Sequence, residues 1–207
     1  MHGFARDRAF EVVPSDETTL HMRLRSDDAT RAMYPFDFQF DVVYRLRGST
    51  LEVRLETTNT GEQALPYYAG HHFYFAVPHE ERAQWRLSLP CTQWAEQDFH
   101  SGDIRFEPAG AAETTLDDPA LVDRLNVHPG DAITLANATN GRRLVLDLQS
   151  TPPWYDVTTW TESDVADFYC IEPWLGLPNA IHHGHGLRHL APGQSESAVC
   201  SMDAAAW

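Results

Sequence analysis

The chain has 207 residues, of which 43% are hydrophobic and 11% aromatic, enough for one sizeable apolar core. Thirty acidic residues against fifteen basic ones leave a net charge of −15, which disfavours nucleic acid and anionic membranes as partners. No apolar run approaches the ~20 residues that span a bilayer. The opening Met1-His2-Gly3-Phe4-Ala5-Arg6 lacks the apolar region of a signal peptide. Cys91, Cys170 and Cys200 are widely spaced with no CxxC, which argues against a disulfide framework and for a reducing, cytoplasmic setting.

Leu20, Met22 and Leu24 alternate with polar residues and predict a strand. Asp27 to Tyr34 permits one helical turn. Phe36, Phe38, Phe40, Val42, Tyr44 and Leu46 then recur with period two, the pattern of a half-buried strand. After the turn Arg47-Gly48-Ser49, Leu51, Val53 and Leu55 continue the alternation. The pair reads as an antiparallel hairpin with one wet face. Asn59-Thr60-Gly61-Glu62 is a turn, and residues 65–77 form an aromatic strand segment containing Gly70-His71-His72-Phe73-Tyr74-Phe75. Trp85 to Leu89 is a short strand stopped by Pro90. Residues 91–130 are rich in Gly and Pro and read as loops over a sheet edge, with short strands near Arg105 and Ile133. Asn140-Gly141 marks a hairpin between Ile133/Leu135 and Leu144/Leu146/Leu148. Val157 to Trp160, Phe168 to Trp174 and Glu196 to Met202 complete the strands. No long segment has helical period, so the expected fold is an all-β antiparallel sandwich, one domain over residues 1–207.

The most telling stretch is Asp167-Phe-Tyr-Cys-Ile-Glu172-Pro-Trp174. A single carboxylate follows four apolar or aromatic residues, and Pro173, which has no N–H, is expected to end the ladder. Buried there, Glu172 would have a raised pKa suited to a general base near neutral pH; turned outward, it is a solvated strand end. His71 and His72 face opposite sides of their segment, so each is either a core histidine or an acid–base candidate. His182, His183, His185 and His189 invite a metal reading, against which stand a Gly-rich loop, the absence of a nearby Cys and the lack of a helix to align ligands.

Four segments in order resemble the aldose 1-epimerase (galactose mutarotase-like) family. His2-Gly3-Phe4-Ala5-Arg6 resembles its "HGFAR" segment and Tyr34-Pro35-Phe36 its "YPF/WPH" segment. Gly70-His71-His72-Phe73-Tyr74-Phe75 resembles the "GxHxYF" strand. Phe168 to Trp174, with Gly176, Asn179 and Leu190-Ala-Pro-Gly193, resembles the family's "FxCIEPW…G…N/D…LxPG" end. The resemblance implies a sandwich with a concave sugar cleft and interconversion of α and β anomers of a hexose or hexose phosphate, with no cofactor and no metal. Carried over by position, Glu172 is the general base on the C1 hydroxyl and His72 the general acid at the ring oxygen. His2 would bond the sugar, Arg6 would meet a phosphate or lie on the surface, and Trp160 and Trp174 would stack on the sugar or pack in the core.

Family members carry further strands before the "HGF" segment, including one with a substrate-binding arginine. The sandwich is therefore expected to be N-terminally shortened, with an exposed sheet edge through which a homodimer could form. The alternative function is a non-catalytic carbohydrate-binding or interaction module on the same fold. Turnover of a free sugar, against binding without turnover, separates the two.

Overall fold

A computed structural model describes residues 2–148, 150–151 and 153–204. The first strands are β1 (Glu11–Val13), β2 (Thr19–Arg25), β3 (Phe38–Arg47), β4 (Thr50–Asn59), β5 (Leu65–Tyr67) and β6 (Phe73–Ala76). They are followed by β7 (Trp85–Ser88), β8 (Gln93–Gln97), β9 (Ile104–Pro108), β10 (Glu113–Thr115), β11 (Arg124–Val127) and β12 (Ala132–Asn137). The last are β13 (Arg143–Asp147), β14 (Asp156–Trp160), β15 (Phe168–Trp174), β16 (Arg188–Leu190) and β17 (Ser195–Asp203). Two α-helical turns, α1 (Asp28–Arg31) and α2 (Ala180–His183), interrupt them.

The strands build two large antiparallel sheets. One has nine strands in the order β1-β2-β3-β4-β17-β13-β12-β7-β10; the other has six, β6-β15-β14-β11-β8-β9; β16 and β5 pair separately. The fold is the all-β sandwich that the alternating patterns predict. A continuous core lies between the sheets: Val53, Leu55, Leu87, Ile133 and Leu146 from the first meet Val157, Tyr169 and Ile171 from the second. No helix among the described residues is long and apolar enough to cross a membrane. All three cysteines are free.

Several elements form for reasons visible in the sequence. Gly48 takes φ +60°, as a two-residue turn between Arg47 and its partner Thr50 requires. Asp27 closes a capping box: its carboxylate accepts from the Thr30 N–H at 2.7 Å, while the Thr30 hydroxyl accepts from the Asp27 N–H at 2.8 Å. The chain then turns so that the Tyr34 hydroxyl donates to the Pro66 carbonyl, tying α1 to β5. The small β5/β16 sheet is held to β17 by Glu196, which accepts a bidentate Arg188 pair at 2.9 and 2.6 Å and the Tyr67 hydroxyl at 2.5 Å.

Three local expectations are corrected. Residues 91–130 are more strand than loop: besides the expected strand near Arg105, which is the edge strand β9, they supply β8, β10 and β11, and β11 is an interior strand between β14 and β8. Pro173 does not end the ladder, since β15 continues to Trp174. The missing N–H is harmless because β6 pairs only as far as Ile171, and the Pro173 carbonyl still accepts from the His71 N–H at 2.9 Å. The β3/β4 hairpin does not have one plainly wet face. Asp41, 2% exposed, is surrounded by His21 at 2.5 Å, Arg23 at 2.7 Å and Gln39 at 2.8 Å.

Candidate active site

The outer face of the six-stranded sheet forms the floor of a cleft of about 810 Å³, within the range of small-molecule sites. Strand register explains the floor. Glu172 pairs with Thr158, and Thr158 with Leu125, so the three side chains leave the sheet in one row on the same side. On β15 the even-numbered residues 168, 170, 172 and 174 take this face, while Tyr169 and Ile171 enter the core. The strand is therefore buried on both faces, which is why it reads as an unbroken apolar run.

His72 reaches the cleft from the segment just before β6. Gly70 bridges to Trp174, and the His71 N–H bonds Pro173. This fit requires glycine, because a Cβ at Gly70 would lie 2.1 Å from Cε3 of the Trp174 ring and 2.8 Å from the Pro173 carbonyl. Gly70→Ala should cost about 1–3 kcal/mol of stability and displace the indole. Thermal unfolding and tryptophan fluorescence check this, and an unchanged melting temperature would refute it. Beyond Gly70 the two histidines part. His71 turns inward, stacks on Phe73 at 4.7 Å and is pushed down to a pKa of about 4 by burial. His72 turns into the cleft, where its Nε2 lies 3.3 Å from Glu172 Oε1.

The pair is electrostatically unusual. The Glu172 side chain is only 3% exposed, and burial pushes its pKa up to about 7, although the Trp174 indole N–H, 3.3 Å from Oε2, pulls the other way. Burial also lowers the pKa of His72. A carboxyl whose pKa is raised to about 7 and an imidazole whose pKa is lowered, in contact, can exchange a proton with a bound molecule without outside help.

His2 lies across the pair, edge-on to His72 at 4.8 Å and stacked on Trp174 at 5.9 Å. Trp160 meets His72 edge-on at 5.7 Å. Arg6 sits on the cleft lining with a 64% exposed side chain, 3.6 Å from Asp7. All six residues singled out from the sequence line this one cleft. The histidine-rich loop is different. His183 spends both ring nitrogens inside the loop, Nε2 on the Pro178 carbonyl at 2.8 Å and Nδ1 accepting from the His185 N–H at 3.1 Å. It is a loop clasp and has no lone pair left for a metal.

Four further cleft residues are not among the site residues expected from the sequence. Tyr74 stacks on His72 at 4.8 Å. Asp123 lines the cleft in a left-handed conformation, φ 55°, and burial raises its pKa. Gln97 carries a buried side-chain NH2 with no partner among the described residues. Asn179, also left-handed at φ 62°, closes one end. Tyr74 and Asn179 carry a signal in the sequence, their places in the GxHxYF-like strand and in the loop after Trp174, whereas Asp123 and Gln97 carry none.

Next to this floor is a second buried carboxyl. Asp156 is opposite Trp174, wholly buried, and accepts from the Thr158 hydroxyl at 2.8 Å, while its Oδ1 has no partner. Burial raises its pKa well above the carboxylate range, and the nearby Glu172 adds to the rise. A folded-state pKa above the unfolded one costs stability as pH rises past the unfolded value. Asp156→Asn should therefore raise the melting temperature at neutral pH, by about 2–4 °C per kcal/mol recovered, and the gain should vanish in acid. Melting curves at both pH values test it; a loss of stability at neutral pH would contradict it.

A sandwich of two antiparallel sheets with a carboxyl–imidazole pair and aromatic rings lining one cleft defines the class: an all-β protein with a candidate acid–base site. The comparisons name the family: the aldose 1-epimerase family model matches residues 1–203, and the chain belongs to that family. Among solved structures it is similar to a galactose mutarotase related enzyme from Lactobacillus acidophilus. That likeness has a TM-score of 0.84, 24% identity, and coverage of 97% of this chain and 72% of the other. It is also similar to a galactose mutarotase-like protein from Lactobacillus casei, with a TM-score of 0.81, 21% identity, and 97% and 74% coverage. These two likenesses show the fold. Protein LacX of Lactococcus lactis is 24% identical over 89% of this chain, and the chain spans 66% of LacX.

Proposed function

We propose that the protein is an aldose 1-epimerase, a mutarotase that interconverts the α and β anomers of a hexose or hexose phosphate. The observation that carries the reading is the 3.3 Å contact between His72 Nε2 and Glu172 Oε1 on the floor of the cleft. Glu172 takes the proton from the C1 hydroxyl as the C1–O5 bond breaks, and His72 delivers a proton to the ring oxygen. The open aldehyde turns about C1–C2, and the ring recloses on its other face with the two roles reversed. Trp174 holds Glu172 through its indole N–H, and Trp160 and His2 flank the imidazole. Asp123 and Gln97 offer an acceptor and a donor to sugar hydroxyls.

Polarimetry of freshly dissolved α-D-glucose and α-D-galactose tests the reading. Acceleration over buffer is expected; none with either sugar or their 6-phosphates would end it. Calorimetric binding of a sugar without turnover would put a carbohydrate-binding module in its place. The phosphate question rests on Arg6, whose guanidinium is free enough at the cleft rim to meet an anion. If the substrate is phosphorylated, Arg6→Ala should raise KM for the 6-phosphate sugar and leave the unphosphorylated sugar unaffected.

A further inference from the structure

Cys170 precedes Glu172 by two residues, so its side chain leaves β15 on the same face as the carboxyl. The thiol is buried and free, and the acid–base chemistry gives it no task. One donor atom from each of His72, Cys170 and Glu172 lies within 4.8 Å of the other two, and among the described residues no other such group of three exists. We propose that this cleft captures a thiophilic divalent cation of the Zn2+ or Cd2+ class through Cys170 Sγ, a His72 ring nitrogen and a Glu172 carboxylate oxygen, and that capture blocks the cleft.

The donor set favours that class. Sulfur, imidazole nitrogen and one carboxylate suit zinc and its softer congener, whereas Mg2+ and Ca2+ require several oxygens. Bonds of about 2.0–2.3 Å set tetrahedral donors roughly 3.3–3.8 Å apart, so the three atoms need to close by only about 1 Å. Rotation of the His72 ring and the Cys170 side chain supplies that movement. His72 is 24% exposed, so a cation arriving through the cleft meets it first. The open side leaves the fourth position to water. On capture the thiol releases its proton to solvent as the sulfur–metal bond forms, and no oxidation state changes.

Binding stands on geometry alone; inhibition rests on the proposed function. Cadmium titrated into tag-free protein should give a thiolate-to-cadmium ultraviolet band that saturates at one ion per chain. The band should be retained in Cys91→Ser and lost in Cys170→Ser, with circular dichroism checking that each variant is folded. His72→Gln should weaken it by roughly tenfold or more, an arm that does not depend on the cysteine variant folding. No band in the wild type, a band that survives in folded Cys170→Ser, or one indifferent to His72→Gln overturns the site. In polarimetry, Zn2+ should inhibit the wild type at concentrations that leave Cys170→Ser running at its own metal-free rate. Equal inhibition of both refutes the blocking role, and a protein with no turnover at all leaves the cadmium result to decide the site while ending the epimerase reading.

Discussion

Glu172→Gln should lower kcat for anomer interconversion by about 10²–10⁴-fold, the usual worth of a positioned proton-transfer group. The same change should stabilise the fold. The carboxyl is 3% exposed and its pKa rises from 4.5 to about 7, which corresponds to roughly 3 kcal/mol of strain on the ionised form. The sign follows from proton counting. Between those two values the folded state holds a proton that the unfolded state has released, so stability falls as pH rises across the window. Glutamine has no proton to lose, so the variant's advantage is absent below pH 4.5 and complete above about pH 7. Polarimetry and pH-dependent melting read the two effects in one variant. A variant that keeps its rate would remove Glu172 from the chemistry, and one that melts earlier at alkaline pH would show that the carboxylate stabilises the fold instead of straining it.

His72→Gln should cost about 10²–10³-fold in kcat/KM and change the shape of the pH profile. The reaction needs one proton shared between the two groups, one to accept and one to donate. Glu172 gives up its proton near pH 7, and burial makes His72 take one only at lower pH than usual. The wild-type profile of kcat/KM should therefore be a narrow bell, falling above about pH 7 and again in more acid solution. In the variant no donated proton is required, so the alkaline limb should disappear and the remaining rate should rise to a plateau as Glu172 ionises near pH 7. Rates measured from acid to alkaline pH decide it. A wild-type profile flat through neutrality would show that these side chains do not carry the proton.

The main strands are legible because burial of one face imposes alternation. The even-numbered run from Phe36 to Leu46 predicts a strand, and β3 occupies Phe38–Arg47, offset from it by one residue at the far end. The interior strand β11 is hidden for a physical reason. Leu125, Asn126 and Val127 are all buried, and Asn126 satisfies its amide by donating to the Val157 carbonyl at 2.8 Å. A polar residue whose partner lies on a neighbouring strand looks like a loop residue in one dimension. Asp41 hides in the same way, since its charge is matched by Arg23 and its carboxylate also contacts His21, both of β2.

The site divides along the same line. Local chemistry and order along the chain marked Glu172 as a lone acid after an apolar run, and the family resemblance marked His72. Asp123 and Gln97 carry no such mark, because what makes them notable is a backbone angle and an unpartnered amide. By itself the sequence determined an all-β chain, since period-two burial is written in adjacent residues. Why His72 and not His71 faces the cleft, a choice that the resemblance alone had marked, and how far burial lifts the glutamate, only the tertiary structure decided. Both depend on what packs against β15 from segments distant in sequence, Gly70 and His72 from before β6 and Thr158 from β14.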